Sequence, residues 1–173
     1  MKSTIAKTYD EIGKMFLRTK EYESAKDYFD QAIEMAPDDK TRARSIHNLS
    51  SIYFFLGDFL TQEALLKQSL ELREGPNRFI SLMDLGECYI KQNRPEEALI
   101  VLQEAHNYYP QQKKSSENIK LFEWLTLVSP DSLNYYRQTI TQFKELTGEK
   151  KQLEALYKQQ AMKNLLMRLE SEK

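Results

Sequence analysis

The sequence holds a single cysteine, Cys88, among 173 residues. That excludes an intrachain disulfide and any cysteine-based metal cluster, and it suits a reducing compartment. Glycine and proline are scarce at five each, so turns are few and short. With 40% hydrophobic residues, the chain has enough apolar surface to order itself. Histidine occurs only as His47 and His106, too far apart for a metal-binding spacing, and no glycine-rich phosphate loop or nucleophile beside a base is present. These absences argue against an enzyme and against a resident metal or cofactor. Charge is balanced, 25 Lys and Arg against 26 Asp and Glu, which removes any general attraction to nucleic acid or membrane. No apolar run approaches the roughly 18 residues of a spanning helix. The first sixteen residues mix Lys with Asp and Glu, unlike a signal peptide. The expectation is a cytoplasmic protein without a direct nucleic-acid or membrane partner.

What the sequence does contain is a repeating apolar pattern. Tyr9, Ile12, Gly13 and Phe16 share one helical face, and Tyr22, Ala25, Phe29, Ala32 and Ile33 form an answering one before Pro37. Lys20 and Glu21 lie in the turn between them, and Asp38 or Asp39 can cap the next helix. The pattern returns with Ile46, Leu49, Ser50 and Tyr53, the turn Gly57-Asp58-Phe59, then Leu66, Ser69 and Leu70. In this copy Gln62 stands where a small residue belongs, and Ala64 two residues later implies a slight rotation of the helix. A third copy runs through Leu82, Leu85, Gly86, Tyr89, Ala98, Leu102, Ala105 and Pro110, with Pro95 at a first helical position. Such units cannot bury their faces alone and must stack. The fold expectation is therefore all-α, a right-handed superhelix of antiparallel helix pairs forming one domain over 1–173. Its repeats are placed at about 6–39, 43–76 and 79–112. A diverged pair follows at 115–147, with Ser132 and Thr139 in the small positions, and a helix at 149–171 caps the stack.

Large, large, small, aromatic on the first helix, then small, aromatic, small on the second and a closing proline, closely resembles the tetratricopeptide repeat (TPR). The spacing from Gly13 to Ser50 is 37 residues and from Ser50 to Gly86 is 36, against about 34 in the usual unit. The resemblance implies a binding module in which the first helix of each pair lines a concave groove. Its second, fifth, ninth and twelfth positions face the ligand. These fall on Lys7, Asp10, Lys14 and Leu17 in repeat one, and on Arg44, His47, Ser51 and Phe54 beside Asn48 in repeat two. In repeat three they are Ile80, Met83, Glu87 and Ile90 beside Asp84. This mixed lining suits a short peptide or protein segment whose backbone bonds to Arg44 or Asn48. It does not suit the carboxylate clamp of chaperone-type TPRs, because Asp10, Ile80 and Asp84 replace the required donors and only Asn48 fits.

A second resemblance rests on the stretch from 130 to 171: Tyr135-Tyr136-Arg137-Gln138-Thr139-Ile140, the Leu-Thr-Gly-Glu turn at 146–149, and the long last helix. It is similar to peptide-pheromone-responsive TPR regulators of Gram-positive bacteria. That likeness implies the peptide-sensing or oligomerising part of a quorum-sensing transcription regulator, whose effector domain would precede Met1. Repeat one begins without a polar cap, which reads as the edge of a longer chain. Two other readings stay open: a constitutive scaffold or chaperone-like adaptor, and a homodimerisation module using the apolar stripe Leu153, Leu156, Leu165 and Leu169.

Overall fold

A computed structural model of the chain describes residues 2–108 and 116–141, apart from 133, 136 and 140. All secondary structure among the described residues is helical. In order it comprises α1 (Lys2–Arg18), α2 (Tyr22–Glu34), α3 (Asp39–Leu56), α4 (Phe59–Glu71), a short 3-10 turn (Gly75–Arg78), α5 (Phe79–Lys91), α6 (Pro95–Asn107) and α7 (Ser116–Val128). More helix begins at Ser132. The chain divides into two compact units, Met1–Arg94 and Pro95–Lys173. The division falls between the two helices of the third repeat.

Capping chemistry sets the boundaries in the first unit. Asp38 accepts from the Thr41 amide at 2.7 Å and opens α3, while Asp58 does the same from Thr61 for α4. The three turns that join the first helix of a pair to the second share one device, a residue with left-handed backbone: Lys20 (φ 64°), Gly57 (φ 75°) and Asn93 (φ 58°). The amide of the next residue then bonds back into the helix, as from Glu21 to Phe16 O at 2.9 Å and from Arg94 to Tyr89 O at 2.9 Å.

Each helix of the first unit packs on the next, and α1 also touches α3. Packing between sequential helices and between successive first helices is what a stack of helix pairs produces. The α1–α2 contact is a close one. A methyl group placed on Gly13 would meet the Phe29 ring at 2.6 Å, so glycine is what lets that fully buried ring approach the α1 backbone. Ala25, Phe29, Leu49 and Ile52 form one cluster, covered by Phe16, Leu17, Tyr22, Ile33, Tyr53 and Leu65. In α4 the expected rotation toward Ala64 does not occur. Gln62 itself occupies the small position at 3% exposure, and Ala64 faces out.

In the second unit α6 packs on α7. The His106 ring meets Phe122 at 5.7 Å and Tyr135 at 6.2 Å, both edge-on, and burial lowers its pKa from the ordinary value. Ser132 and Thr139 are buried, and the Thr139 hydroxyl donates to Tyr135 O at 3.0 Å. Pro110, residues 142–147 of the diverged pair and the helix expected at 149–171 lie outside the described residues.

Candidate functional site

The first helices α1, α3 and α5 bring the expected polar residues together in pairs. Asp10 on α1 is 1% exposed, and its Oδ2 accepts from Arg44 Nε on α3 at 2.9 Å. One turn along α3, His47 Nε2 lies 2.7 Å from Asp84 Oδ2 on α5. Two bridges, spanning 34 and 37 residues of sequence, thus tie three successive first helices side by side. Neither bridge joins equivalent positions: Asp10 and His47 both hold the fifth position of their repeats, whereas Arg44 holds the second position of the next repeat and Asp84 lies beside the fifth.

The bridges leave polar capacity unused. Asp10 Oδ1, Arg44 Nη2 and Asn48 Nδ2 are buried atoms without a hydrogen-bond partner. An unmet buried donor or acceptor costs on the order of 1–3 kcal/mol. Each such atom calls for an explanation, a bound group that supplies the missing bond being one. The Arg44 side chain is nevertheless 39% exposed, so part of its guanidinium faces solvent.

Other expected positions behave differently. Lys7 is exposed, and Lys14 pairs locally with Glu11 at 2.9 Å. Ser51, Phe54 and Glu87 are half-buried, and Phe54 meets the Phe55 and Phe59 rings edge-on at 5.6 and 6.3 Å. Leu17 packs against the core cluster, and Ile80 is 52% exposed. Met83, at 4% exposure, belongs to the packed interior.

Two polar clusters were not expected from the sequence. Arg73 at the end of α4 donates to Ser69 Oγ at 3.0 Å, Asn77 O at 2.8 Å and Ala43 O at 3.4 Å. Burial and then the neighbouring Arg44 charge lower its pKa from the ordinary value, while Asp84 acts the other way. Arg73 is therefore a second cation within electrostatic reach of Arg44 and Asp84. The other cluster surrounds Glu63. It accepts from Lys67 at 2.6 Å, Arg94 at 2.6 Å and Gln92 at 3.1 Å, and Tyr89 donates to it at 3.3 Å. Burial alone would raise the carboxyl, but these hydrogen bonds outweigh it and hold the pKa at about 2. The one available signal was the Glu63–Lys67 spacing of four, which also occurs on plain solvated faces. Nearby, Cys88 is fully buried, its thiol donates to Phe59 O at 3.2 Å, and burial raises its pKa. That environment keeps it unreactive.

No three His, Cys, Asp or Glu side chains among the described residues are grouped to hold a metal ion. No helix among them is long and apolar enough to cross a membrane.

Comparison with known proteins agrees with this architecture. The chain aligns with a kinesin light chain of Podosopora anserina built from nearly identical TPR-like repeats. The TM-score is 0.72 at 16% identity, covering 99% of this chain and 92% of that one. It also aligns with the N-terminal domain of stress-induced protein-1 from C. elegans, with a TM-score of 0.58 at 17% identity over 72% and 97%. A third match is YrrB, described as a TPR protein with an unusual peptide-binding site, with a TM-score of 0.57 at 18% identity over 78% and 66%. At these identities the likeness is one of fold. No curated protein matches the sequence. The tetratricopeptide repeat profile matches over residues 4–75 and again over 41–111. With its all-α stack of helix pairs, the chain belongs to the tetratricopeptide repeat family, whose members mediate protein and peptide interactions.

Proposed function

We propose that this protein is a non-catalytic binding module that takes a peptide or an extended protein segment along the face of α1, α3 and α5. The observation that carries the reading is the set of unmet polar atoms on Asp10, Arg44 and Asn48, on helices that the Asp10–Arg44 and His47–Asp84 bridges hold in place. A peptide main chain carries donors and acceptors in the alternation that such a face lacks. The test is retention of a degenerate pool of synthetic nonapeptides on the immobilised protein, read by mass spectrometry. Asn48→Ala combined with Arg44→Lys keeps Asp10 neutralised but removes the amide and the planar guanidinium. Retention should fall at least tenfold while circular dichroism stays unchanged. Equal retention by the variant removes the face from consideration.

The finer reading is the peptide-sensing part of a bacterial quorum-sensing regulator, supported by the sequence resemblance over 130–171. Its mechanism is a population shift, in which peptide favours one arrangement of the stack and changes assembly. Light scattering of the protein with and without the retained peptides, and after removal of residues 149–173, tests this. A mass unchanged in all states speaks for a constitutive scaffold instead.

A further inference from the structure

The cations in and near the bridged face are already offset by the protein's own acids. Arg44 is engaged by Asp10 at 2.9 Å. Arg73 spends its donors on Ser69, Asn77 and Ala43 and feels the Asp84 charge. Asp84 in turn faces His47 at 2.7 Å. Two arginines and two aspartates therefore leave little net positive charge to attract an anion. Of the buried atoms without partners, Gln62 Oε1 belongs to α4, and the first helices carry two donors, Arg44 Nη2 and Asn48 Nδ2, and one acceptor, Asp10 Oδ1. Asp10 is itself almost wholly buried.

Resting on the reading that this face binds a peptide, we propose that its centre selects a ligand carboxamide, an Asn or Gln side chain, and rejects a carboxylate. Asp10 is the specificity-determining residue. An amide oxygen accepts from Arg44 and Asn48, and the amide N–H group donates to Asp10 Oδ1, so one neutral group satisfies all three atoms. A carboxylate satisfies the two donors but sets its second oxygen against Asp10. The like charges then repel in a site partly withdrawn from water. Arg44, the exposed member of the pair, has the freedom to shift and admit the ligand to Oδ1. Asp10 thus turns an arginine that would otherwise clamp anions into half of an amide-recognising pair.

The composition of the retained nonapeptides tests the selection separately from the fact of binding. For the unaltered protein the pool should be enriched in Asn and Gln over Asp and Glu, by about tenfold at one position. Asp10→Asn is nearly isosteric and frees the Arg44 charge, so its pool should reverse toward Asp and Glu. Arg44→Gln leaves Asp10 uncompensated, so its pool should shift toward Lys and Arg, which provides a second reading if Asp10→Asn does not fold. Acidic enrichment by the unaltered protein, or the same composition from the protein and both variants, overturns the selectivity while leaving peptide binding in place. No retention by any form sinks the binding face and the selectivity together.

Discussion

Asp10 and Arg44 are 34 residues apart in sequence and 2.9 Å apart in space, but they are not equivalent partners. The carboxylate is 1% exposed, whereas the guanidinium side chain is 39% exposed. Removing Arg44 strands a buried charge; removing Asp10 leaves a cation that can turn to water. Arg44→Ala should therefore destabilise by about 2–4 kcal/mol, and Asp10→Ala by about 1 kcal/mol or less. The double variant should recover most of the Arg44→Ala loss. Urea unfolding of all four proteins decides it, and equal losses from the two single variants would contradict the asymmetry.

Gly13→Ala is expected to be among the most damaging single-methyl additions in the first unit. The new methyl would lie 2.6 Å from Cε1 and 2.7 Å from Cδ1 of Phe29, closer than carbon atoms pack. The ring is fully buried and has little room to retreat. Overpacking of this kind costs about 1–3 kcal/mol, partly offset by the better helix propensity of alanine, about 1 kcal/mol. Pairing Gly13→Ala with Phe29→Leu should relieve part of the loss. A shift in thermal midpoint that stays the same with and without the ring change would refute the contact.

The left-handed turn residues offer a gain. Lys20 sits at φ 64° with its amide bonded to Leu17 O at 3.1 Å, a conformation that strains a residue with a side chain. Lys20→Gly should add about 0.5 kcal/mol once the entropy of glycine in the unfolded chain is deducted. Asn93→Gly should add less, because asparagine tolerates this region. Chemical denaturation of the two variants side by side measures the order.

Glu63 makes stability depend on pH at the acidic end. Its folded pKa of about 2 lies below the ordinary 4.5. The stabilisation is therefore fully present above about pH 4.5 and is lost as pH falls through 2. The difference corresponds to on the order of 3 kcal/mol at neutral pH. Glu63→Gln should lose about that much at pH 7 and converge on the unaltered protein near pH 2. Denaturant midpoints that run parallel across this range would show that Glu63 is not responsible.

The particular residues show which parts of the structure the sequence announces. Gly13 and Phe29 announced their contact, because a glycine on an apolar helical face opposite an aromatic has few other uses. Asp38, Gly57, Asp58 and Pro95 announced helix ends through local hydrogen bonding and fixed backbone angles, which need no distant partner. Among the face residues, Asp10, Arg44, His47, Asn48 and Asp84 could be placed on the first helices from their positions in the repeat. Their pairing could not be read, since it depends on how far one helix slides past the next. Glu63 was passed over for the same reason: its partners Gln92 and Arg94 come from the end of α5 and the turn beyond it.

Periodicity, small residues and caps are local properties of the chain, so the sequence by itself determined that it forms helix pairs and that these stack as tetratricopeptide repeats. The exposure of each face residue is a property of all its neighbours together. Only the tertiary structure decided that Met83 is interior, that Gln62 fills a position meant for a smaller residue, and that Asp10 lies buried beneath Arg44. That last placement turns a lone cation on the face of α1, α3 and α5 into a balanced pair, because a charge withdrawn from water acts most strongly on the group it touches.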